Sequence, residues 1–212
     1  MIADGLYPAP GAGEAATVFL HAIADAAAAV PPDYVEHPYV DRGLRADRRA
    51  RERTYCYELY HQVRLLMETS NDPATSAALA HGYVLNAELD KRLSYLPTSK
   101  IPDLLWHVPG VKDNAVVVEV KRADVALKTL QKDVKKLEEF VTATGYSASL
   151  LIVFGRRLSD DTRWRLERTA AQKGVALLLH PAQSAPVLVR APGDEEGLHA
   201  HFLPRQSNGG GQ

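Results

Sequence analysis

The sequence predicts an α/β fold, a mixed β-sheet with helices on both faces. Three observations carry that expectation. Several segments place apolar residues at spacings of three and four, the period of an amphipathic helix. Between them lie short runs rich in β-branched residues, the clearest being Val116-Val117-Val118. From Arg45 to Phe154 these segments follow the order helix, three strands, helix, strand, or αβββαβ. The first three strands can form a meander, and the strand–helix–strand unit after them requires a right-handed crossover.

The elements follow in chain order. Residues 1–11 are rich in Pro and Gly and suggest no element. Residues 13–30 read as a helix, because alanine is the best helix former and Pro31-Pro32 stops it. Its side chains are nearly all small, which suits a lid or a dimer element. Residues 31–44 carry Pro31, Pro32, Pro38 and Gly43 and read as a linker. Residues 45–68 read as a long helix whose buried stripe is Cys56, Leu59, Tyr60, Val63, Leu66 and Met67. Glu58 and Gln62 lie four apart on its flank. Asn71-Asp72-Pro73 breaks that helix. Three strands are expected at Tyr83–Leu89, Ile101–Val108 and Asn114–Lys121. A helix over 124–143 has the apolar set Val125, Leu130, Val134, Leu137 and Val141. Ser149–Phe154 is a continuous apolar run ended by Gly155, the pattern of a buried strand. Residues 159–173 form a helix with Ser159 as N-cap and Asp160 and Asp161 in its first turn. Val175–Leu179 and Val187–Val189 are short final strands. The chain thus divides into an acidic helical arm and linker (1–44), a core domain (45–190) and a flexible tail (191–212).

Composition narrows the function classes. Of the 212 residues, 46% are hydrophobic and 24% charged, the balance of an ordinary soluble globular chain. No run of 18 apolar residues occurs, so no membrane partner is expected. The single cysteine, Cys56, excludes a disulfide framework and a Cys-rich zinc site, and it fits a cytoplasmic location. The net charge of -1 is unevenly spread. Residues 1–41 hold six acids and no Lys or Arg, while 42–64 and 121–136 are each basic. Such a pattern permits a polyanionic partner bound by the basic segments. Walker A, Rossmann and nucleophile-elbow motifs are absent from the sequence.

One strand carries chemistry. Alternate side chains of a strand share a face, so Val116, Val118 and Val120 point one way and Val117, Glu119 and Lys121 the other. A hairpin through Pro109-Gly110 sets Pro102-Asp103 beside that strand. If Asp103 and Glu119 share a face, two carboxylates and a lysine converge. Such a set can hold Mg²⁺, a hard cation that takes oxygen ligands and keeps several waters. When bound, the metal polarises a phosphoryl oxygen and lowers the pKa of a water.

Pro102-Asp103, fifteen residues, then Glu119-Val120-Lys121 resembles the signature of the PD-(D/E)xK nuclease superfamily. The αβββαβ order matches that superfamily's restriction-endonuclease-like core. The chain also resembles uncharacterised bacterial members in which segments like Tyr57–His61 and Ile101–Asp103 occur in this order. The resemblance covers about half of the chain. It implies a metal-dependent endodeoxyribonuclease that hydrolyses DNA phosphodiesters, with Mg²⁺ as cofactor and Mn²⁺ as substitute, in bacterial defence, restriction or repair. Asp103 and Glu119 would be metal ligands and Lys121 the catalytic lysine. Glu58 fits the acid that many members add from the first core helix. Glu88 competes as third acid, because antiparallel pairing would bring it near Asp103. Lys128, Gln131, Lys132 and Lys135 on the following helix are candidate DNA contacts, as are Arg45, Arg48 and Arg49; a solvated helix face is the alternative for both strips. A duplex has two strands, so a homodimer is expected. The rival reading is a non-catalytic nuclease-fold subunit of a larger assembly, docking a protein partner through the acidic N-terminal arm.

Overall fold

The computed structural model describes residues 11–40, 46–49, 51–87, 102–110, 114–182 and 184–189. In chain order its elements are α1 (Ala12–Ala29), α2 (Pro32–Val35), β1 (His37–Val40), β2 (Ala46–Arg49), α3 (Glu52–Thr69) and α4 (Pro73–Ala80). There follow β3 (Val84–Ala87), β4 (Leu104–His107), β5 (Asn114–Arg122), α5 (Leu127–Thr144) and β6 (Ala148–Gly155). The last three are α6 (Asp160–Gln172), β7 (Ala176–Pro181) and β8 (Val187–Val189).

Six strands make one sheet in the order β3-β4-β5-β6-β7-β8. β3, β4 and β5 are antiparallel, β5, β6 and β7 are parallel, and β8 is antiparallel to β7. The meander and the crossover expected from sequence are both present. β5 is internal to the sheet and buried on both faces from Ala115 to Val120, which explains its unbroken apolar run. The strand alternation is as expected. Val116, Val118 and Val120 join Leu150, Ile152 and Phe154 in the core beneath α1 and α3. Val117, Leu151 and Val153 join Leu130, Val134 and Leu137 beneath α5 and α6.

Four findings differ from the sequence reading. First, α1 shares the hydrophobic core of the chain. It packs on α3, β5 and β6, and Phe19, with no solvent exposure, stacks on Trp106 at 5.3 Å between ring centroids. Its alanines serve close approach to the sheet within one chain. Second, the long helix begins at Glu52 rather than 45, because Ala46–Arg49 pairs antiparallel with His37–Val40. Strand pairing overrides local helix propensity there. Third, the break after α3 opens a further helix: the Asp72 carboxylate accepts from the Thr75 N–H at 2.8 Å, and Pro73 takes the first helical position of α4. Fourth, residues 31–44 contain α2 and β1, so they are not a structureless linker. The tail 191–212 lies outside the described residues.

Candidate active site

The chemistry gathers at the C-terminal end of β5. Glu119 points to the α5 face, and its side chain is only 5% exposed. A carboxylate so buried requires partners. It has two: Lys121 Nζ at 3.0 Å from Oε1 and Lys136 Nζ at 2.5 Å from Oε2. Asp103 lies just ahead of β4 and is clamped to the neighbouring strand. Its N–H donates to the Val118 carbonyl at 3.1 Å, and its Oδ2 accepts from the Val120 N–H at 2.7 Å. Lys121 Nζ stands 4.0 Å from the same Oδ2. That ammonium also donates to the Val120 carbonyl at 3.0 Å and to Glu52 Oε1 at 3.2 Å. One cation thus sits among four oxygens, brought by β5, by the residue before β4 and by the first turn of α3.

The charges do not balance within the cluster. Burial raises the Asp103 carboxyl to about 6, and the adjacent Glu119 charge pushes the same way against the Val120 N–H and Lys121. Burial also raises the carboxyl of Asp133 on α5, which feels Lys121, Glu119, Lys136 and Glu52 and so borders the same cluster. Among the described residues its Oδ2 is buried without a hydrogen-bond partner. Burial alone would pull the Lys121 ammonium down, but Glu119, Asp103 and Glu52 outweigh it and hold the group above its ordinary value. With every group ionised, the four acids Asp103, Glu119, Glu52 and Asp133 face two ammonium groups, Lys121 and Lys136. Among the described residues the cluster is short of positive charge.

The donor atoms are hard oxygens, the kind a divalent cation such as Mg²⁺ takes. Mg²⁺ is commonly held by one or two carboxylates with waters and substrate phosphates completing its shell. Asp103, Glu119 and the Val120 carbonyl are hard oxygens that already surround a cation, the Lys121 ammonium. Among the described residues no three acid, His or Cys side chains stand in ligating array. A metal would therefore rest on two carboxylates and a carbonyl, and Lys121 would have to yield its place.

The structure brings Asp103, Glu119 and Lys121 together as the sequence pattern requires. Glu58 stands elsewhere on α3, where its Oε1 accepts from Gln62 Nε2 at 2.7 Å. Glu52 is the acid that α3 delivers to the cluster. Glu88 and Arg45 lie outside the described residues, and Arg48 and Arg49 lie on β2 rather than on a helix. Of the α5 strip, Lys128, Lys132 and Lys135 are exposed, Lys135 being paired with Glu139 at 3.7 Å. Gln131 donates to Thr169 Oγ1 at 3.1 Å, so it joins α5 to α6.

Sequence reasoning missed Glu52, Asp133 and Lys136, and each left a signal. The buried stripe Tyr55, Leu59, Val63 and Met67, extended back by three residues, reaches Glu52. On α5 the fourth buried position is Phe140 rather than Val141. At about 100° per residue, that choice puts Asp133 inside the buried arc and Lys136 at its border.

No family model, curated protein or solved structure matches this chain. Among the described residues, no helix is long and apolar enough to cross a membrane.

Proposed function

We propose that the chain is a divalent-metal-dependent nuclease that hydrolyses DNA phosphodiester bonds. The observation that carries this reading is the convergence of Asp103, Glu119 and the Val120 carbonyl around a single cation, in a cluster still short of positive charge. Asp103 and Glu119 would hold Mg²⁺ or Mn²⁺, which when bound supplies Lewis-acid stabilisation and a more acidic water. The chain's own groups account for the rest. Water attacks phosphorus in line with the leaving 3′ oxygen; the new P–O bond forms as the P–O3′ bond breaks. Lys121 is held protonated by its carboxylate neighbours, so its role is to orient the water and stabilise charge growing on the phosphoryl oxygens. Glu52, its side chain 36% exposed and 3.2 Å from Lys121 Nζ, is the acid open to accept the proton the water loses. Lys136, with its Nζ 2.5 Å from Oε2, holds the Glu119 side chain in place. A role in restriction, repair or defence remains what the family resemblance alone suggests.

The test is cleavage of labelled linear, circular and branched DNA by the full chain with Mn²⁺ and with EDTA. Metal-dependent cleavage, lost in Asp103→Ala and Glu119→Ala, is the expected result. Cleavage unaffected by both substitutions would overturn the assignment.

A further inference from the structure

A second feature lies one row along the sheet from the carboxylate cluster. Lys121 on β5 is in register with Val153 on β6, and Val153 with Leu179 on β7, so all three side chains face the same way. Above Val153 and Leu179 opens a cavity of about 140 Å³, lined also by Arg156, Arg157, Arg163 and Ser184. It sits outside the C-terminal ends of the parallel strands, the crevice where open α/β sheets bind ligands. Two backbone bonds fix its rim: Ala123 N–H donates to the Phe154 carbonyl at 2.8 Å, and Ala182 N–H to the Gly155 carbonyl at 2.7 Å. Gly155, at φ 102, turns the chain out of β6 so that Arg156 and Arg157 follow directly at the mouth.

The cavity is cationic where the neighbouring cluster is anionic. Arg156 is exposed and has no acidic partner among the described residues. Arg157 meets Asp160 only at 3.4 Å, with both side chains at least 79% exposed, so that pair holds the guanidinium weakly. Arg163 is the more committed, with Nε 2.6 Å from Glu167. Guanidinium forks match phosphate oxygens in pairs, and Val153 and Leu179 give the cavity an apolar floor. Adjacent strands lie about 4.8 Å apart, so the cavity is one to two such spacings from Lys121. That is the scale of the gap between neighbouring phosphates of one nucleic-acid strand.

We propose that this arginine-lined cavity is a phosphate subsite, holding a backbone phosphate of the DNA strand beside the bond to be cut. For the identity of its ligand it rests on the nuclease reading. Occupying it would fix the register of the strand across Asp103, Glu119 and Lys121.

The experiment measures anisotropy of a short labelled DNA duplex with the full chain in EDTA, where no cleavage intervenes, over a range of salt. The double variant Arg156→Ala/Arg157→Ala should bind about tenfold or more weakly, and its salt slope should be shallower by about 0.9, the value for one lost phosphate contact. Arg165→Ala, on α6 but outside the cavity, should bind within about twofold of wild type. Inorganic phosphate should compete with DNA on the wild type and do so poorly on the double variant. The proposal is overturned if the wild type binds no DNA at low salt, if the double variant binds like wild type, or if Arg165→Ala loses as much. Loss of phosphate binding with DNA binding intact also overturns it, and assigns the cavity to a small phosphate compound. Because the assay needs no metal, a chain that binds through the arginines but never cuts would refute the nuclease reading and leave the subsite standing.

Discussion

Asp103 is costly in its ionised form, and that cost is measurable. Its carboxyl is raised to about 6 in the folded chain, against 3.8 as the ordinary value. The folded state therefore binds the proton more tightly, and this residue's contribution to stability is lost as pH rises from about 4 to 6. Asp103→Asn keeps a carbonyl oxygen for the Val120 N–H and removes the charge. Thermal melts should show the variant gaining on wild type through that window and then holding a lead on the order of 1–2 kcal/mol, after allowance for solvent screening. A constant difference across the window, or a variant that falls behind, would contradict the account. His180 behaves oppositely. Buried against Tyr55, whose hydroxyl lies 2.9 Å from its Nδ1, its imidazole is pushed down to about 4 by burial. Its contribution is present above about 6.5 and is lost as pH falls toward 4. In the Asp103→Asn variant that acid-side loss should stand out. Lys121→Ala tests the remaining member of the cluster. It empties the place the ammonium holds among the oxygens, so Mn²⁺ affinity should stay level or tighten, while cleavage falls by about 10² or more. Calorimetry and single-turnover cleavage on the same preparation separate the two effects.

Elements decide which side chains reach the site, and their phase is where sequence reasoning succeeded and failed. β5 was fully legible: period-two alternation sends Val117, Glu119 and Lys121 one way and Val116, Val118 and Val120 the other. Asp103 was legible through the turn that pairs β4 with β5. The helices were harder to phase, because one residue of error rotates a helix by about 100°. Val141 in place of Phe140 hid Asp133 and Lys136, and a start at 45 instead of Glu52 hid the first acid of α3. The pairing of Ala46–Arg49 with His37–Val40 is a non-local contact that no local signal in the sequence announces. Helix ends give a direct check on these assignments. Asp72→Ala removes the side chain that accepts the Thr75 N–H and should cost about 1 kcal/mol in a denaturant melt. Gly145 closes α5 in the left-handed region at φ 76, so Gly145→Ala should cost about 1–2 kcal/mol even though its position is open to solvent. No loss at either position would mean that α4 or α5 ends elsewhere.

At the scale of the whole molecule, α1 and the sheet share one hydrophobic core, so the N-terminal helix is a structural member. Phe19→Ala removes a fully buried ring stacked on Trp106 and should cost about 3–5 kcal/mol. That is a large part of the 5–15 kcal/mol typical of a domain, and a clear drop in the denaturation midpoint is expected. A near-neutral effect would detach α1 from the core. The core in turn brings side chains of β5, of the residue before β4, of the first turn of α3 and of one face of α5 into a single cluster. The proposed function requires this cluster to hold a divalent metal for phosphodiester hydrolysis. Isothermal titration of the full chain with Mn²⁺, at a pH well above 6 so that Asp103 is ionised, tests it most directly. The account expects saturable binding that is abolished in Asp103→Ala and Glu119→Ala and survives in Glu58→Ala. No binding by the wild type, or binding indifferent to Asp103 and Glu119, would contradict it.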